Sequence, residues 1–254
     1  MTTIADRLDA ADLARMMARC EVVDLAPLLV PNMVKWPTHP DLAIIDDARS
    51  HAEHGYFLQT LIIPEHVGCH VDAPSHAHAS LPHKTIETFA ADCLMGPAKK
   101  VDVSGLDLQP GDLLTLAQYQ AAAARDGVTI EAGDIALVQF GWDRNLPGGS
   151  AGRDRDWWGR NNPGMDEDLC RFFSERGVKA VGTDTVSADL GQKDNVIVAD
   201  YGHRTWFLPR DILIIEGLLN LAKAPPRFYF VALPLKIRGG SGSPLRPVGI
   251  VVAE

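Results

Sequence analysis

A single mixed α/β domain is the architecture that this 254-residue chain predicts. Three features carry that expectation. Helical and strand-like periods alternate early in the chain, β-branched apolar runs dominate late, and no Pro/Ser linker, repeat or low-complexity tract divides it. The expected fold is α/β in the mixed, α+β sense: one domain over residues 1–254, a mixed β-sheet core and flanking helices. The regular βα repeat of a TIM barrel is missing.

The elements follow in order. Residues 3–19 show helical spacing, with Ile4, Leu8, Leu13, Met16 and Met17 on one side and charges between them. EVVDLAPLLV (21–30) reads as a strand ended by Pro31, and FLQTLII (57–63) as a second strand. A Gly-Asp turn precedes the Ala-rich helix 115–125, and another precedes an apolar strand at 135–141. The Gly- and Asn-rich stretch 143–165 reads as a long loop whose Trp157-Trp158 pair argues against disorder and suits packing at a subunit interface or closure over a pocket. A short helix (166–176), the strand VKAVGT and three β-branched runs at 211–215, 228–233 and 247–253 complete the chain.

Composition narrows the function. The chain is 46% hydrophobic and 22% charged, as a globular protein should be, and carries a net charge of −9. That balance excludes a nucleic-acid partner, which needs a Lys/Arg-rich face, and disfavours an anionic membrane surface. No apolar run approaches the roughly 20 residues that span a bilayer. The N-terminal segment has no signal-peptide apolar region, and the scattered Cys20, Cys69, Cys93 and Cys170 form no CxxC pair. A soluble cytoplasmic protein with reduced thiols is expected.

Seven of the nine histidines (51, 54, 66, 70, 76, 78 and 83) fall within one 33-residue stretch. Its centre is His66-Val67-Gly68-Cys69-His70-Val71-Asp72-Ala73-Pro74-Ser75-His76. Read as extended chain, the even positions from 66 to 72 are His, Gly, His and Asp, and the odd positions are apolar, so one face is polar and the other apolar. A helix would also unite His66 and His70, but Gly68, Pro74 and the valines oppose it. Two imidazoles and a carboxylate around a bare glycine suit a divalent metal. A straight strand would separate His66 from His70 by roughly 13 Å, so a bend at Gly68 is expected. The remaining histidines of the cluster (51, 54, 78 and 83) lack a face assignment and read as surface or loop residues. Further on, Glu216 ends the apolar run Ile212–Ile215 and should meet a cation, a metal or water. His203 stands alone in the second half.

The segment from His66 resembles the H-x-G-T-H-x-D-x-P-x-H motif of the metal-dependent cyclase family of hydrolases, whose members include bacterial kynurenine formamidase and isatin hydrolase. Cys69 replaces the motif's Thr, and of the two roles open to it, a soft ligand or a small apolar packing group, packing is expected. DLAPLLVPNMVKWPTHP, GTDTVSAD, IIEGLLNL and the tail LPLKIRGGSGSPLRPVGIV also look familial. The resemblance implies a cyclase/kynurenine formamidase-like fold and a site in which His66, His70, Asp72, His203 and Glu216 hold one or two divalent ions, Zn²⁺ or Mn²⁺. It further implies that His76 shuttles protons, that Trp36 contacts substrate, and that subunits form a homodimer or higher homo-oligomer. Glu216 matches formamidase-like members and the tail matches isatin hydrolase-like ones, so the substrate stays open between an N-formyl arylamine and a cyclic amide.

The expected activity is cleavage of a small aromatic amide's C–N bond by metal-activated water, with His76 as general base. A metal-dependent polyketide-type cyclase and a non-catalytic metal-containing binding protein are the alternatives. Gly148-Gly149-Ser150-Ala151-Gly152 fits G-x-S-x-G but lacks the strand and helix that a nucleophile elbow requires.

Overall fold

The computed structural model of the chain describes residues 9–252. Nine strands form one curled, mixed sheet: β1 (Cys20–Asp24), β2 (His70–Asp72), β3 (Met95–Asp102), β4 (Ile135–Gln139), β5 (Ala180–Thr183), β6 (Leu213–Glu216), β7 (Arg227–Val231), β8 (Gly242–Pro244) and β9 (Val248–Val252). Their order is β1-β9-β7-β3-β4-β5-β6-β2-β8. Pairings from β3 through β6 are parallel, and those on either side are antiparallel.

The central strands are buried on both faces, as parallel strands must be. Ala136, Val138, Val181 and Ile214 face one core with the helices Leu116–Arg125 and Glu167–Arg176, while Ile135, Leu137, Ala180 and Ile215 face a second core closed by Val23, Leu25, Phe228 and Phe230. Both helices begin at side-chain caps. Thr115 and Gln118 form a reciprocal capping box, and Asp166 accepts from the Leu169 amide.

Several expected elements differ in the structure. Helical residues begin at Ala10, and Ile4 and Leu8 lie outside the described residues. The strand expected over 21–30 stops at Asp24, because the chain turns out of the sheet toward Pro27, which has no N–H to give. The expected loop 143–165 contains the helix Arg155–Arg160, capped by Asp154. Within it Trp158 is buried and Trp157 stacks on Trp142 at 5.8 Å. Strand β3 went unread, since Gly96, Pro97, Lys99 and Lys100 obscure its period. Lys100 is nevertheless buried, and its ammonium donates to Gln139 Oε1 and the Leu221 carbonyl. Strand Leu58–Ile62 pairs with Ala43–Arg49 as a separate two-stranded ribbon. Ser150 sits exposed in a turn with neither strand nor helix beside it.

Candidate metal centre

Residues 66–76 combine three local structures rather than one strand. The chain bends through 65–69, runs extended over His70–Asp72, and turns into the short helix Pro74–Ala77. Gly68 takes φ +62° within the bend, which shortens the span that a straight strand would impose. The alternation of faces survives. Cys69, Val71 and Ala73 pack into the second core, whereas His66, His70 and Asp72 turn toward the site. Burial pushes the Cys69 thiol upward in pKa, and it packs as a small hydrophobe.

Sheet register supplies the distant partner. In the antiparallel β2–β6 pair, Glu216 lies opposite His70, and Ile214 opposite Asp72. Opposed side chains in such a pair are close neighbours on one face. Glu216 Oε2 thereby lies 3.4 Å from His70 Nε2, and its Oε1 accepts the Ala188 N–H at 3.1 Å. Gly217, at φ +67°, permits this junction, because a Cβ there would stand 2.7 Å from the Gly68 carbonyl oxygen.

His203 arrives on a π-helical turn, Gly202–Trp206. Its Nε2 lies 3.3 Å from Asp72 Oδ2 and 3.6 Å from Glu216 Oε1. Its Nδ1 is bonded to Asp189, whose other oxygen accepts the Gly202 and His203 amides at 2.7 and 3.2 Å. His78 reinforces the turn by bonding the His203 carbonyl through Nε2 at 2.7 Å. Sequence reasoning read His78 as a surface or loop residue; it does lie outside helix and strand, but its role at His203 went unread, and so did Asp189, at which only the motif GTDTVSAD hinted. His39 was also missed. It lines the cleft and bonds the His66 carbonyl through Nδ1 at 3.2 Å.

Charge is densely opposed here. Burial works against a charge on His70, but hydrogen bonding to Glu216 and the field of Asp72 raise its pKa to about 9. His203 likewise rises despite burial, chiefly through Asp189. Asp72 is held well below the usual carboxylate range by His66 and His203, although burial alone would raise it. Desolvation also lowers the pKa of His76 to about 4; its ring centroid lies 4.0 Å from that of His66 with the planes tilted by 33°, and part of the residue stays exposed.

The donor set fits a divalent cation. His66, Asp72 and His76 offer ligand atoms within 4.8 Å of one another, as do His70, Asp72 and Glu216. Asp72 belongs to both groups, and its buried Oδ2 has no hydrogen-bond donor. A buried carboxylate oxygen is costly unless a positive charge meets it, and His203 Nε2 at 3.3 Å, or a cation in the same cluster, supplies that charge. Nitrogen and carboxylate ligands without thiolate suit zinc or manganese alike. The cluster opens on a cleft of 190 Å³, also lined by Trp36, Val186, Leu190, Ile197, Asp200 and Arg204.

A curled mixed sheet that gathers imidazoles and carboxylates from β2, β6 and a π-helical turn defines an α+β protein with a candidate metal centre. Residues 7–190 match the family model described as "Putative cyclase", and the chain belongs to that family. It is 27% identical over 243 residues to isatin hydrolase of Roseibium aggregatum, covering 91% of this chain and 92% of that one. It is 29% identical over 231 residues to kynurenine formamidase of Salinibacter ruber, covering 89% of this chain and 96% of that one. The solved structure of isatin hydrolase A from Ralstonia solanacearum superposes with a TM-score of 0.80 at 28% identity, over 99% of this chain and 98% of that one.

Proposed function

We propose that the whole chain, 1–254, is a metal-dependent amidohydrolase that opens the C–N bond of a small aromatic amide. The observation that carries this reading is convergence: His66, His70, Asp72, His203 and Glu216 meet from distant parts of the chain, with His76 beside them on one cleft. Similarity to isatin hydrolase and kynurenine formamidase supports amide chemistry.

The five ligand candidates would hold one or two divalent ions, zinc or manganese, around Asp72, whose oxygens lie 2.6 Å from His66, 3.6 Å from His70 and 3.3 Å from His203. A divalent ion held there supplies Lewis acidity, easing deprotonation of water and polarising the amide carbonyl. His76, unprotonated at neutral pH by virtue of its lowered pKa, accepts a proton from the attacking water. As the C–O bond forms and the C–N bond breaks, His76 returns that proton to the leaving nitrogen. Trp36 flanks the cleft and stacks on the substrate ring, while the buried Val186 and Leu190 give the cleft an apolar wall. The small cleft suits a cyclic amide such as isatin or an N-formyl arylamine such as N-formylkynurenine.

Elemental analysis, chelation and a substrate panel test the proposal. Bound zinc or manganese and loss of turnover on chelation are expected; full amidase activity in verified metal-free protein would end the reading. His76→Ala should keep its metal and lose turnover by at least about 100-fold, whereas wild-type rates would remove His76 from the chemistry.

We also place the enzyme in the cytoplasm as a homo-oligomer. Among the described residues no helix is long and apolar enough to cross a membrane, and the four cysteines are unpaired. Leu58, Leu61 and Ile62 stand exposed on a two-stranded ribbon that has little core of its own.

A further inference from the structure

Two of the histidines at the centre have one ring nitrogen committed in the same way. His70 Nδ1 faces the Gly68 carbonyl at 3.0 Å, and His203 Nδ1 is bonded to Asp189, so each directs Nε2 toward the carboxylates. His66 is arranged the other way round. Its Nδ1 lies 2.6 Å from Asp72 Oδ1, and its Nε2 lies 2.8 Å from Ser241 Oγ.

Ser241 decides which nitrogen carries the proton. Its hydroxyl has a single hydrogen, and that hydrogen is donated to Glu65 Oε2 at 2.7 Å; the same oxygen accepts the Ser241 backbone N–H at 3.0 Å. Towards His66 the hydroxyl oxygen therefore has only a lone pair to offer, and Nε2 must be the donor. Nδ1 faces Asp72 Oδ1 at 2.6 Å, a separation that two lone pairs cannot hold unaided, so a proton or the ion must lie between them. The neighbouring residue locks the ring in place: a Cβ on Gly242 would lie 2.5 Å from His66 Cε1 and 2.4 Å from the Val71 carbonyl oxygen. The Gly242–Asp72 pairing of β8 with β2 delivers this tail segment to the site.

We propose that Glu65 and Ser241 are positioning residues that keep the proton of His66 on Nε2, so that His66 offers Nδ1 to the ion while His70 and His203 offer Nε2. This assignment rests on the metal reading above for the identity of what Nδ1 meets, but not for the proton on Nε2. The Gly-rich tail thereby acquires a chemical role, orienting a ligand that lies 175 positions away in the chain.

Nitrogen-15 spectra of histidine-labelled full-length protein test it directly, with the His66 signals assigned by their loss in His66→Asn. Nε2 of His66 should be protonated both without metal and after zinc loading, and Nδ1 should shift on loading. A bare Nε2 in either state overturns the proposal. Ser241→Ala should weaken zinc binding on the order of 10-fold in competition with a chelator, and Ser241→Thr, which keeps the hydroxyl, should restore it. Unchanged affinity in Ser241→Ala, or equal losses in both variants at wild-type thermal stability, would also overturn it. Wild-type protein that takes up no zinc yet keeps Nε2 protonated would refute the metal reading instead.

Discussion

Asp184 shows how far one side chain can depart from its ordinary behaviour in this fold. It is buried at the carboxyl end of β5 and accepts the Phe140 and Trp142 amides, each at 2.8 Å. Burial outweighs those bonds and lifts its pKa from 3.8 to about 7. A raised acid pKa means that the folded state binds the proton more tightly than the unfolded one. Its contribution to stability is therefore fully present below pH 3.8 and is lost as pH rises through 7. The difference corresponds to about 4 kcal/mol. Urea unfolding of chelated wild type and Asp184→Asn should show the wild type losing stability relative to the variant across that window; parallel profiles would show that Asp184 is ionised throughout. The same scale contains the cluster itself, where Glu216 and Asp72 raise the pKa of His70, Asp189 raises that of His203, and His66 with His203 lowers that of Asp72, each against burial.

At the level of elements, the bend at 65–69 is the decisive piece. Gly68 sits at φ +62°, and a Cβ there would approach Leu29 Cδ2 at 2.9 Å and Met33 Cε at 3.0 Å. Gly68→Ala should cost about 1–3 kcal/mol in chemical denaturation, from left-handed strain and crowding together. It should also weaken zinc binding, because His66 and His70 leave opposite ends of the bend. Wild-type stability and affinity would mean that the bend can form without glycine. Legibility at this scale was uneven. The helices at 116–125 and 167–176 were both legible, the first as an Ala-rich run after a Gly-Asp turn, and the structure adds the caps that start them. Strand β3 did not, since Gly, Pro and two lysines break its pattern, and its stability comes from pairing on both sides with β7 and β4. The helix Arg155–Arg160 was hidden by a Gly- and Asn-rich setting, yet Asp154 caps it and Trp158 anchors it in the core.

Across the whole molecule, assembly is the open consequence of the fold. The ribbon formed by Ala43–Arg49 and Leu58–Ile62 projects apolar side chains, and Val196, Ile197 and Val198 are exposed on a second ribbon near the cleft. Exposed apolar patches of this kind mark interaction surfaces. Light scattering should report a dimer or larger species, and Leu58→Lys with Leu61→Lys should shift it toward monomer. A wild-type chain that is monomeric at all concentrations tested would remove the assembly proposal and leave the metal centre untouched.

The local sequence by itself determined the two-faced character of residues 66–72 and the bend at Gly68. Those properties follow from side-chain alternation and from the conformational freedom of one residue, which neighbours a few positions apart can specify. The apolar run 212–215 singled out Glu216, and the family resemblance made it and His203 ligand candidates without saying what held them. Only the tertiary structure decided that β6 pairs with β2 in the register that sets Glu216 opposite His70. It alone brought Asp189 to His203, and Glu65 with Ser241 to His66. Strand register and contacts across more than a hundred residues are settled by which arrangement buries the apolar faces and satisfies the buried polar groups of the entire sheet at once, and no local period encodes that.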